Sequence, residues 1–506
     1  MDPFFIRNLG SVVDASTGEH WDSERLQKEI YTRAGYFIHC GVERGVPAVI
    51  MHGSNVRFFA DVFAMWMIGV PIACLDAGMG ADEFSKLVTE LGAEAVIVNG
   101  EIPDKISSMG DQLRFIDTQQ ADRWGAPVEA CRVSPIAPDE KALLLYTSGS
   151  TGKPKGVVHT PRTLQTKWFA LRQYMPLSIV DRALCALPTH FGHGLICNAL
   201  YPLVHGKKLV VLPKTDLASL IQLPRIIDEH DITFMSSVPS IWRMVLRLCD
   251  SPKNGSLAQI NIGSAPLASE LWKQVQAWSG IGRVWNTYGI TETGSWIAGP
   301  LESYGEVEPE DGLIGHGWGS DIFISEESDI KMVASSSHLA PTCAVGQKGY
   351  VWLRTPAVMQ EYFKRPDQTA EILQGGCFFT GDLGYIDDRG RLILAGRVRN
   401  EINKGGIKIS PEELDSIIES HKDIMEACAF RIEDPVLGEN IGVCIVLDQG
   451  VIYPTVSELT QWCGSVMSDH KIPVLWYQVD SIPKTSRGKI NRDDVARFCE
   501  TQEVWS

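Results

Sequence analysis

The chain has 506 residues, a formal net charge of −16 at pH 7, 44% hydrophobic residues and 21% charged residues. This balance is typical of a globular protein with two or more domains and excludes a disordered chain. The acidic excess argues against nucleic acid or an anionic membrane as a general partner, so an anionic substrate must be held by locally placed donors.

Targeting and cysteine signals are weak. The start, Met1-Asp-Pro-Phe-Phe-Ile-Arg7, lacks the basic and apolar regions of a signal peptide. The most apolar segment, 58–75, contains Asp61 and Pro71, which favours a buried helix running into a strand over a membrane span. The 12 cysteines form no CxxC pair and have no regular spacing, so neither a disulfide framework nor a zinc site is predicted. We therefore expect a cytoplasmic protein without a membrane span.

The N-terminal part alternates helix-like and strand-like segments. Residues 25–45 and 83–91 have helical spacing, whereas 48–51 and 95–98 are short apolar runs typical of buried strands. The polar stretch 117–138 then leads to the next apolar run. This alternation predicts an α/β fold with parallel strands.

The same pattern continues after residue 180. The segment 184–195 predicts a strand followed by a turn that carries His190 and His193. Ligands in open α/β sheets bind at the carboxyl ends of the strands, so this turn is a candidate for a pocket. Further predicted elements are strands at 208–213 and 232–235, helices at 224–230 and 240–249, and a strand end at 261–266.

The C-terminal third has a different texture. Residues 315–379 are β-rich, with strands predicted at 350–353 and 385–386. We predict a large domain over 1–396 and a small one over 397–506, which is long enough to fold separately. The small domain should begin with a β-like segment at 402–409. A helix should follow with Ser410 as its N-cap and Pro411 at its first position.

One Ser, Thr and Gly run stands out, Thr147 to Gly156, with the sequence TSGSTGKPKG. It follows the apolar run 142–146, so it predicts a buried strand that opens into a loop able to surround phosphate oxygens. The glycine spacing and Pro154 after Lys153 exclude a Walker A loop. Without other signals, an ordinary turn is the commoner origin of such a run.

The run is similar, residue for residue, to the signature of the AMP-forming adenylating enzymes. These include acyl-CoA synthetases, aryl-acid CoA ligases, stand-alone adenylation domains and firefly-type luciferases. Four further segments resemble the later motifs of that family in order and separation: Asn286–Gly294, Phe379–Leu383, Leu394–Arg397 and Pro483–Lys489. The resemblance implies a large N-terminal domain of layered sheets and helices with a β-rich subdomain, and a small, mobile α+β lid domain.

The reaction implied by the resemblance is attack of a carboxylate on the α-phosphorus of ATP, which gives an acyl-adenylate and pyrophosphate, followed by capture with a thiol. Matched to the family, Thr291 would contact the α-phosphate, Glu292 would hold Mg²⁺, and Lys489 would bridge the carboxylate and the phosphate during attack. Arg399 aligns with the hinge of the lid. By the same match, the residues that bind ATP are Thr147, Ser148, Gly149, Ser150, Thr151, Gly152, Lys155, Gly263, Ser264, Ala265, Asn286, Tyr288, Gly289, Asp382 and Arg397.

The acid is less well specified. Amino-acid-activating members carry an aspartate in the segment that matches 191–195, but here His193 stands at or beside that position and no carboxylate is near in sequence. The predicted pocket suits an aromatic or modest-sized carboxylic acid, although packed core is the competing interpretation. The predicted pocket residues are His190, Phe191, His193, Phe234, Ser236 and Trp242.

The acceptor thiol has two candidates. A CoA ligase is the leading prediction. The alternative is a stand-alone adenylation enzyme that loads the acid onto the phosphopantetheine of a separate acyl carrier protein; a silent nucleotide-binding protein or a luciferase-like oxygenase is a further possibility. Asn403 stands where several CoA-forming members carry lysine. The acid, the acceptor and the oligomeric state stay open.

Overall fold

The computed structural model describes residues 8–107, 109, 113–126, 134–147, 154–213, 216–301, 307–326, 343–404, 407–448, 454–485 and 489–505, without the side chains of Lys105, Arg399 and Lys408. Across these ranges, no helix combines the length and the apolar character that crossing a bilayer requires.

Strands and helices alternate along the described chain. The strands are β1 Ser11–Asp14, β2 His20–Trp21, β3 Ala48–Ile50, β4 Ile72–Cys74, β5 Ala95–Val98, β6 Arg114–Asp117, β7 Leu143–Thr147, β8 Lys155–His159, β9 Arg182–Cys185, β10 Lys208–Val211, β11 Phe234–Ser237, β12 Gln259–Gly263, β13 Val284–Ile290, β14 Ser295–Gly299, β15 Leu313–Gly317, β16 Asp321–Ser325, β17 Gly349–Arg354, β18 Glu361–Tyr362, β19 Leu373–Gln374, β20 Cys377–Ile386, β21 Leu392–Arg397, β22 Ile402–Lys404, β23 Ile407–Ile409, β24 Ile424–Asp434, β25 Gly438–Leu447 and β26 Leu475–Gln478. The α-helices are α1 Ser23–His39, α2 Val56–Met67, α3 Ala81–Leu91, α4 Asp104–Ser107, α5 Pro161–Tyr174, α6 Tyr201–His205, α7 Leu217–Ile221, α8 Leu223–Glu229, α9 Pro239–Leu248, α10 Ser269–Ser279, α11 Pro366–Ile372, α12 Pro411–Glu419, α13 Val456–Val466 and α14 Arg492–Cys499. A π-helix covers His193–Leu200, and 3₁₀ turns cover Thr118–Arg123, Thr291–Thr293, Val398–Asn400 and Asp469–Lys471.

The strands form three sheets. The largest has the order β16-β17-β20-β21-β15-β14-β13-β12-β11-β9-β10-β1-β2, with β19 beside β20. The second has the order β18-β8-β7-β4-β3-β5-β6, and the third has the order β23-β22-β25-β24 with β26 beside β25. The third sheet begins at Ile402, whereas the described strands of the other two end by Arg397. The predicted α/β class, with a large N-terminal part and a small C-terminal part, is confirmed. The boundary between residues 396 and 397 lies at the end of β21 and stays a prediction.

A run of parallel strands positions the candidate site. From β1 through β10, β9, β11 and β12 to β13, each pair is parallel, so the carboxyl ends of these strands share one edge of the sheet. The pairing becomes antiparallel between β13 and β14. All described residues of β11 and β12 are buried, as expected for strands that are covered on both faces. The segments that leave this edge after β9, β12 and β13 carry several of the predicted site residues, among them His193, Ser264 and Thr291, in agreement with the rule for α/β sheets.

Three predicted elements differ in their limits. Helix α1 ends at His39 rather than near residue 45, because Gly41 and Gly45 adopt positive φ values of 76° and 80°. The strand predicted at 232–235 is Phe234–Ser237, since these residues pair with Gln259–Ile262 of β12. The turn predicted after residue 187 continues into the π-helix that starts at His193.

The small C-terminal part follows its prediction closely. Residues Ile402–Lys404 and Ile407–Ile409 form a β-hairpin. The next helix begins at Pro411, and the Ser410 side chain accepts a hydrogen bond from the Glu413 backbone N–H. This N-cap satisfies one of the free N–H groups of the first turn.

Candidate functional site

The predicted phosphate loop is framed by two strands. Thr147 ends β7 and pairs with Lys155, the first residue of β8. Five predicted residues between them, Ser148, Gly149, Ser150, Thr151 and Gly152, lie outside the described residues. The antiparallel hairpin nevertheless fixes both ends of the loop, so Lys155 has a defined place beside it.

Lys155 and Glu292 meet at a tyrosine that the sequence analysis missed. The Lys155 ammonium lies 4.9 Å from the centre of the Tyr362 ring. The Tyr362 hydroxyl donates a hydrogen bond of 2.6 Å to Glu292 Oε1. Burial, followed by the neighbouring Glu292 carboxylate, raises the pKa of Tyr362, so the phenol keeps its proton and remains a donor. Tyr362 thereby orients the carboxylate that is predicted to hold Mg²⁺.

Three buried side chains donate hydrogen bonds to backbone carbonyls in and next to the turn that carries Thr291 and Glu292. His159 Nε2 donates to the Thr291 carbonyl at 2.8 Å, the Cys197 thiol to the Gly294 carbonyl at 3.3 Å, and the Lys167 ammonium to the Trp296 carbonyl at 2.6 Å. These residues come from β8, the π-helix and α5. Together they fix the backbone of the turn at three carbonyl groups.

Burial lowers the pKa values of two of these supporting side chains, His159 and Lys167. It lowers the pKa of His159 to about 4, so the imidazole is neutral. Its single N–H is therefore at Nε2 and donates to the Thr291 carbonyl. Burial also lowers the pKa of Lys167 to about 8. No charge motif marks either residue in the sequence, so neither was predicted.

Two predicted ATP-binding glycines, on β12 and β13, lie very close to neighbouring backbone. A Cβ atom on Gly263 would lie 2.5 Å from the Thr287 carbonyl oxygen, and one on Gly289 would lie 2.3 Å from that of Ser295. Both contacts are too short for any residue except glycine. Ser264 adopts a left-handed φ of 67°, a strained conformation that is concentrated at functional sites. Ala265 follows it, half-buried.

Asn286 has a structural task in this arrangement. Its side-chain amide donates to the Leu313 carbonyl at 2.9 Å, which ties β13 to β15. Its side chain is buried, so it acts on the site through the backbone that it supports.

Asp382 is a buried carboxylate with two partners. Arg397 Nε lies 2.6 Å from its Oδ1 atom, and the two residues are opposite each other on β20 and β21. The Tyr288 hydroxyl donates to Oδ2. Burial and then the Asp382 charge raise the pKa of Tyr288 well above its usual range. Since each carboxylate oxygen can accept more than one hydrogen bond, Asp382 retains acceptor capacity for hydroxyl groups of a ligand.

His193 contacts both a predicted residue of the acid pocket, Ser236, and a predicted ATP-binding residue, Ser264. Its Nε2 lies 2.6 Å from Ser236 Oγ, and its Nδ1 lies 2.8 Å from Ser264 Oγ. Because the Ser236 hydroxyl donates to the Asn261 carbonyl, it must accept from His193 Nε2–H. His193 Nδ1 is then the acceptor for the Ser264 hydroxyl. The imidazole is a neutral bridge between two serines.

The charge of Lys489 affects the pKa of His193. Burial, followed by the positive charge of Lys489, lowers the pKa of His193 to about 3. The Lys489 backbone is held to Thr485, whose N–H donates to the Lys489 carbonyl at 2.8 Å. The lysine that contributes to this shift is almost 300 positions away from His193 in sequence. The hinge candidate Arg399 lies in the 3₁₀ turn Val398–Asn400.

The aromatic pocket candidates do not all lie together. Phe234 and His193 both pack edge-on against Trp296, at 5.9 Å and 5.5 Å between ring centres. Phe191 lies 6.4 Å from His193 and 6.0 Å from His190. Trp242, by contrast, is fully buried on α9 and packs against Trp278 at 5.3 Å, a core position. Trp296 was missed, although it follows the Thr-Glu motif by only four residues.

The arrangement fits Mg²⁺ bound through few protein ligands. Among the residues with described positions, no group of three His, Cys, Asp or Glu side chains could enclose a metal ion. Mg²⁺ is commonly bound by one or two carboxylates together with substrate phosphates and water. Glu292, held by Tyr362, meets that requirement.

Comparisons with known proteins agree with this geometry. The sequence profile of the AMP-binding enzyme family matches residues 10–363, and the profile of its C-terminal domain matches residues 413–489. An oxalate–CoA ligase of Arabidopsis thaliana is 31% identical over 474 residues, which cover 90% of this chain and 89% of the relative. A sulfoacetate–CoA ligase of Cupriavidus necator is 32% identical over 367 residues, or 72% and 68% of the two chains. The structure of o-succinylbenzoate CoA synthetase from Bacillus subtilis with its acyl-adenylate superimposes with a TM-score of 0.85 at 24% identity and covers 99% of this chain and 96% of that one, a likeness of fold.

Proposed function

Because the chain belongs to the AMP-binding enzyme family and is an AMP-forming ligase, we propose that it joins a small carboxylic acid to coenzyme A through an acyl-adenylate. The acid attacks the α-phosphorus of ATP and takes the adenylyl group, and the β- and γ-phosphates leave as pyrophosphate. The acyl group then passes from AMP to the thiol. The same proposal assigns residues 397–506 to a lid that turns near Arg399 between the two steps.

The observation that supports the proposal most is the contact of Tyr362 with both Lys155 and Glu292, which brings the predicted phosphate ligand and the predicted Mg²⁺ ligand together. The positive charge of Lys489 also acts on this site, since together with burial it lowers the pKa of His193. This charge is well placed to neutralise a carboxylate that approaches the α-phosphate. Such a charge acts on the transition state more than on the bound substrate.

The remaining residues divide the work of binding. Thr147 and Lys155 would hold the terminal phosphates, and Asp382 would accept hydrogen bonds from the ribose hydroxyls. Glu292, oriented by Tyr362, would hold Mg²⁺, which when bound neutralises charge on phosphate oxygens. Thr291 would donate to the α-phosphate from a turn that His159 and the other buried side chains keep in place. Rigid placement of the two reactants in line is the main requirement of this chemistry.

The pocket favours an acid without an ammonium group. The neutral imidazole of His193 and the ring edge of Trp296 offer hydrogen bonding and apolar contact, but no carboxylate contacts them among the described contacts of the pocket candidates. The two curated relatives are named for oxalate and sulfoacetate, which are small acids. A short acyl or aromatic acid is therefore the proposed substrate class.

ATP–pyrophosphate exchange tests the proposal. A panel of short, aromatic and long acids and amino acids would be assayed, first without coenzyme A and then with it. We expect exchange with one short or aromatic acid and a thioester when coenzyme A is added. Exchange without a thioester would transfer the second step to the phosphopantetheine of a carrier protein, the alternative acceptor. An active protein for which only α-amino acids support exchange would contradict the assignment of the pocket.

A further inference from the structure

We infer that Arg243 is a positioning residue that holds Lys489 at the pocket during adenylation, through an ion-pair chain that crosses from α9 to the small C-terminal part. The inference rests on the proposed function, because it assigns Arg243 to one of its two half-reactions. Arg243 does not touch the nucleotide motifs described above. Its effect on chemistry would pass through the carboxylates that it contacts.

The contacts between Arg243 and the small part are close. Arg243 Nη2 lies 2.5 Å from Glu419 Oε2, and Nη1 lies 3.6 Å from Glu426 Oε1. The three side chains are 22%, 13% and 9% exposed, so they are largely removed from solvent. An ion pair in this environment is screened much less than a surface pair.

The chain of ion pairs continues from Glu426 toward Lys489, the predicted catalytic lysine. Glu426 Oε1 also lies 2.6 Å from Lys484 Nζ. Lys484 forms a β-bridge with Ile490, and these two residues bracket the segment that ends in Lys489. The Thr485 and Lys489 backbones are joined by a further hydrogen bond of 2.8 Å. Arg243 therefore braces the base of the loop that presents Lys489.

This bracing is specific to one pose of the lid. Arg243 lies on α9 of the large part, whereas Glu419, Glu426 and Lys484 all move with the small part. A rotation near residues 397–400 that removes Lys489 from His193 also removes both carboxylates from Arg243. Contacts that exist in only one of two poses bias the equilibrium toward that pose.

The same helix provides a matched control. One turn further along α9, Arg247 Nη2 lies 2.6 Å from Asp448 Oδ1. This pair also crosses to the small part, but its side chains are 40% and 52% exposed, so it is screened more strongly by solvent than the pairs of Arg243. A general adhesive role for α9 would make Arg243 and Arg247 similar in effect. If Arg243 has a positioning role, its substitution should affect adenylation and the substitution of Arg247 should not.

The test compares the two half-reactions in the full-length enzyme. In Arg243→Ala, ATP–pyrophosphate exchange should fall about 10- to 100-fold, the effect of a small misplacement of a catalytic group. Thioester formation from the pre-formed acyl-adenylate and coenzyme A should change less than about threefold, because the other pose does not use Arg243. Glu426→Gln should reproduce this split, and Arg243→Lys should restore exchange in part, since lysine cannot reach both carboxylates with a fork. Arg247→Ala should leave both steps near the wild-type rate.

Amide hydrogen exchange gives a measurement that is independent of activity. The segment 484–490 should exchange faster in Arg243→Ala than in Arg247→Ala, and the turn 291–296 should be unchanged. Equal losses in both half-reactions, or equal exchange of the segment 484–490 in the two alanine variants, would overturn the inference. If the wild type activates no acid, the proposed function fails, and the hydrogen exchange of these variants still decides whether Arg243 braces the Lys489 loop.

Discussion

Removal of the Tyr362 hydroxyl should weaken the binding of Mg²⁺ with ATP and leave binding of ATP alone almost unchanged. Tyr362→Phe keeps the ring that faces Lys155 and deletes only the donor to Glu292. A hydrogen bond to a charged group contributes about 1.5–3 kcal/mol. Loss of the partner that orients a metal ligand typically costs about 10- to 100-fold in metal affinity, or about 1.4–2.7 kcal/mol. The two ranges overlap, and because Tyr362 is only 5% exposed, water cannot readily replace its hydroxyl.

Calorimetric titration with ATP, in the presence and in the absence of Mg²⁺, measures this effect. We expect the Kd of the wild type and of Tyr362→Phe to agree within about twofold without the metal. With Mg²⁺, the Kd of the variant should rise about 10- to 100-fold. Tyr350→Phe is the matched control, since Tyr350 is a half-buried tyrosine of β17 whose ring packs near Phe379 and whose loss should affect neither titration.

Two results would refute the reasoning. An equal loss of affinity with and without Mg²⁺ would mean that the hydroxyl supports the nucleotide or the fold rather than the metal. Unchanged affinity in both titrations would mean that Glu292 either does not bind the metal or needs no orientation by Tyr362. A variant with a lowered thermal midpoint but wild-type affinities would also separate a structural role from the role argued here.

Three further predictions concern other groups of the site. Lys167 binds its proton more weakly in the folded chain, with a pKa of about 8 against 10.5, so its own contribution to folding stability should rise by about 3 kcal/mol between those pH values; urea unfolding at pH 8 and 10.5 should show this as a difference between the pH dependence of the wild type and that of Lys167→Met. His193 has a pKa of about 3 against 6.5, so the wild type should lose stability as the pH falls through that interval, and His193→Gln should show a shallower loss in thermal unfolding at pH 7 and 4. Lys489→Met should lower ATP–pyrophosphate exchange by about 10²- to 10³-fold while ATP affinity, measured by calorimetry, stays within about threefold of that of the wild type.

The sequence names the candidate residues in contiguous motifs more readily than the residues that support them. Thr291, Glu292, Asp382 and Lys489 stand in short motifs whose residue order carries information, so each could be named without a structure. Tyr362 and Arg243 are marked only by contacts with residues far away in the chain, Tyr362 with Lys155 and Glu292 and Arg243 with Glu419 and Glu426. A lone tyrosine or arginine between ordinary residues gives no signal of such a partner, because the partner is chosen by the fold.

The fold shows the same division between local and distant causes. The apolar runs before residue 100 predicted their strands and helices because hydrophobic periodicity is a local property. The strand near residue 234 was shifted by two positions, since its ends are set by pairing with β12. The π-helix at His193 was missed because its turn residues, Pro188, Gly192 and Gly194, are the residues that normally indicate a loop.

The bridge from Ser236 through His193 to Ser264 has a consequence for how new acid preferences could arise in this scaffold. Ser264 directly follows β12 and is one of the predicted ATP-binding residues, and its left-handed backbone accepts few side chains. A substitution at His193 that reshapes the predicted acid pocket also removes a hydrogen-bond partner of Ser264, so we expect it to alter nucleotide binding as well as acid choice. Mutational libraries that vary position 193 alone should be dominated by variants with impaired adenylation. Libraries that vary positions 193, 236 and 264 together should give the largest share of active enzymes with altered selectivity. The hydrogen bonds of His193 to Ser236 and Ser264 couple these positions, so the effects of their substitutions should not be additive.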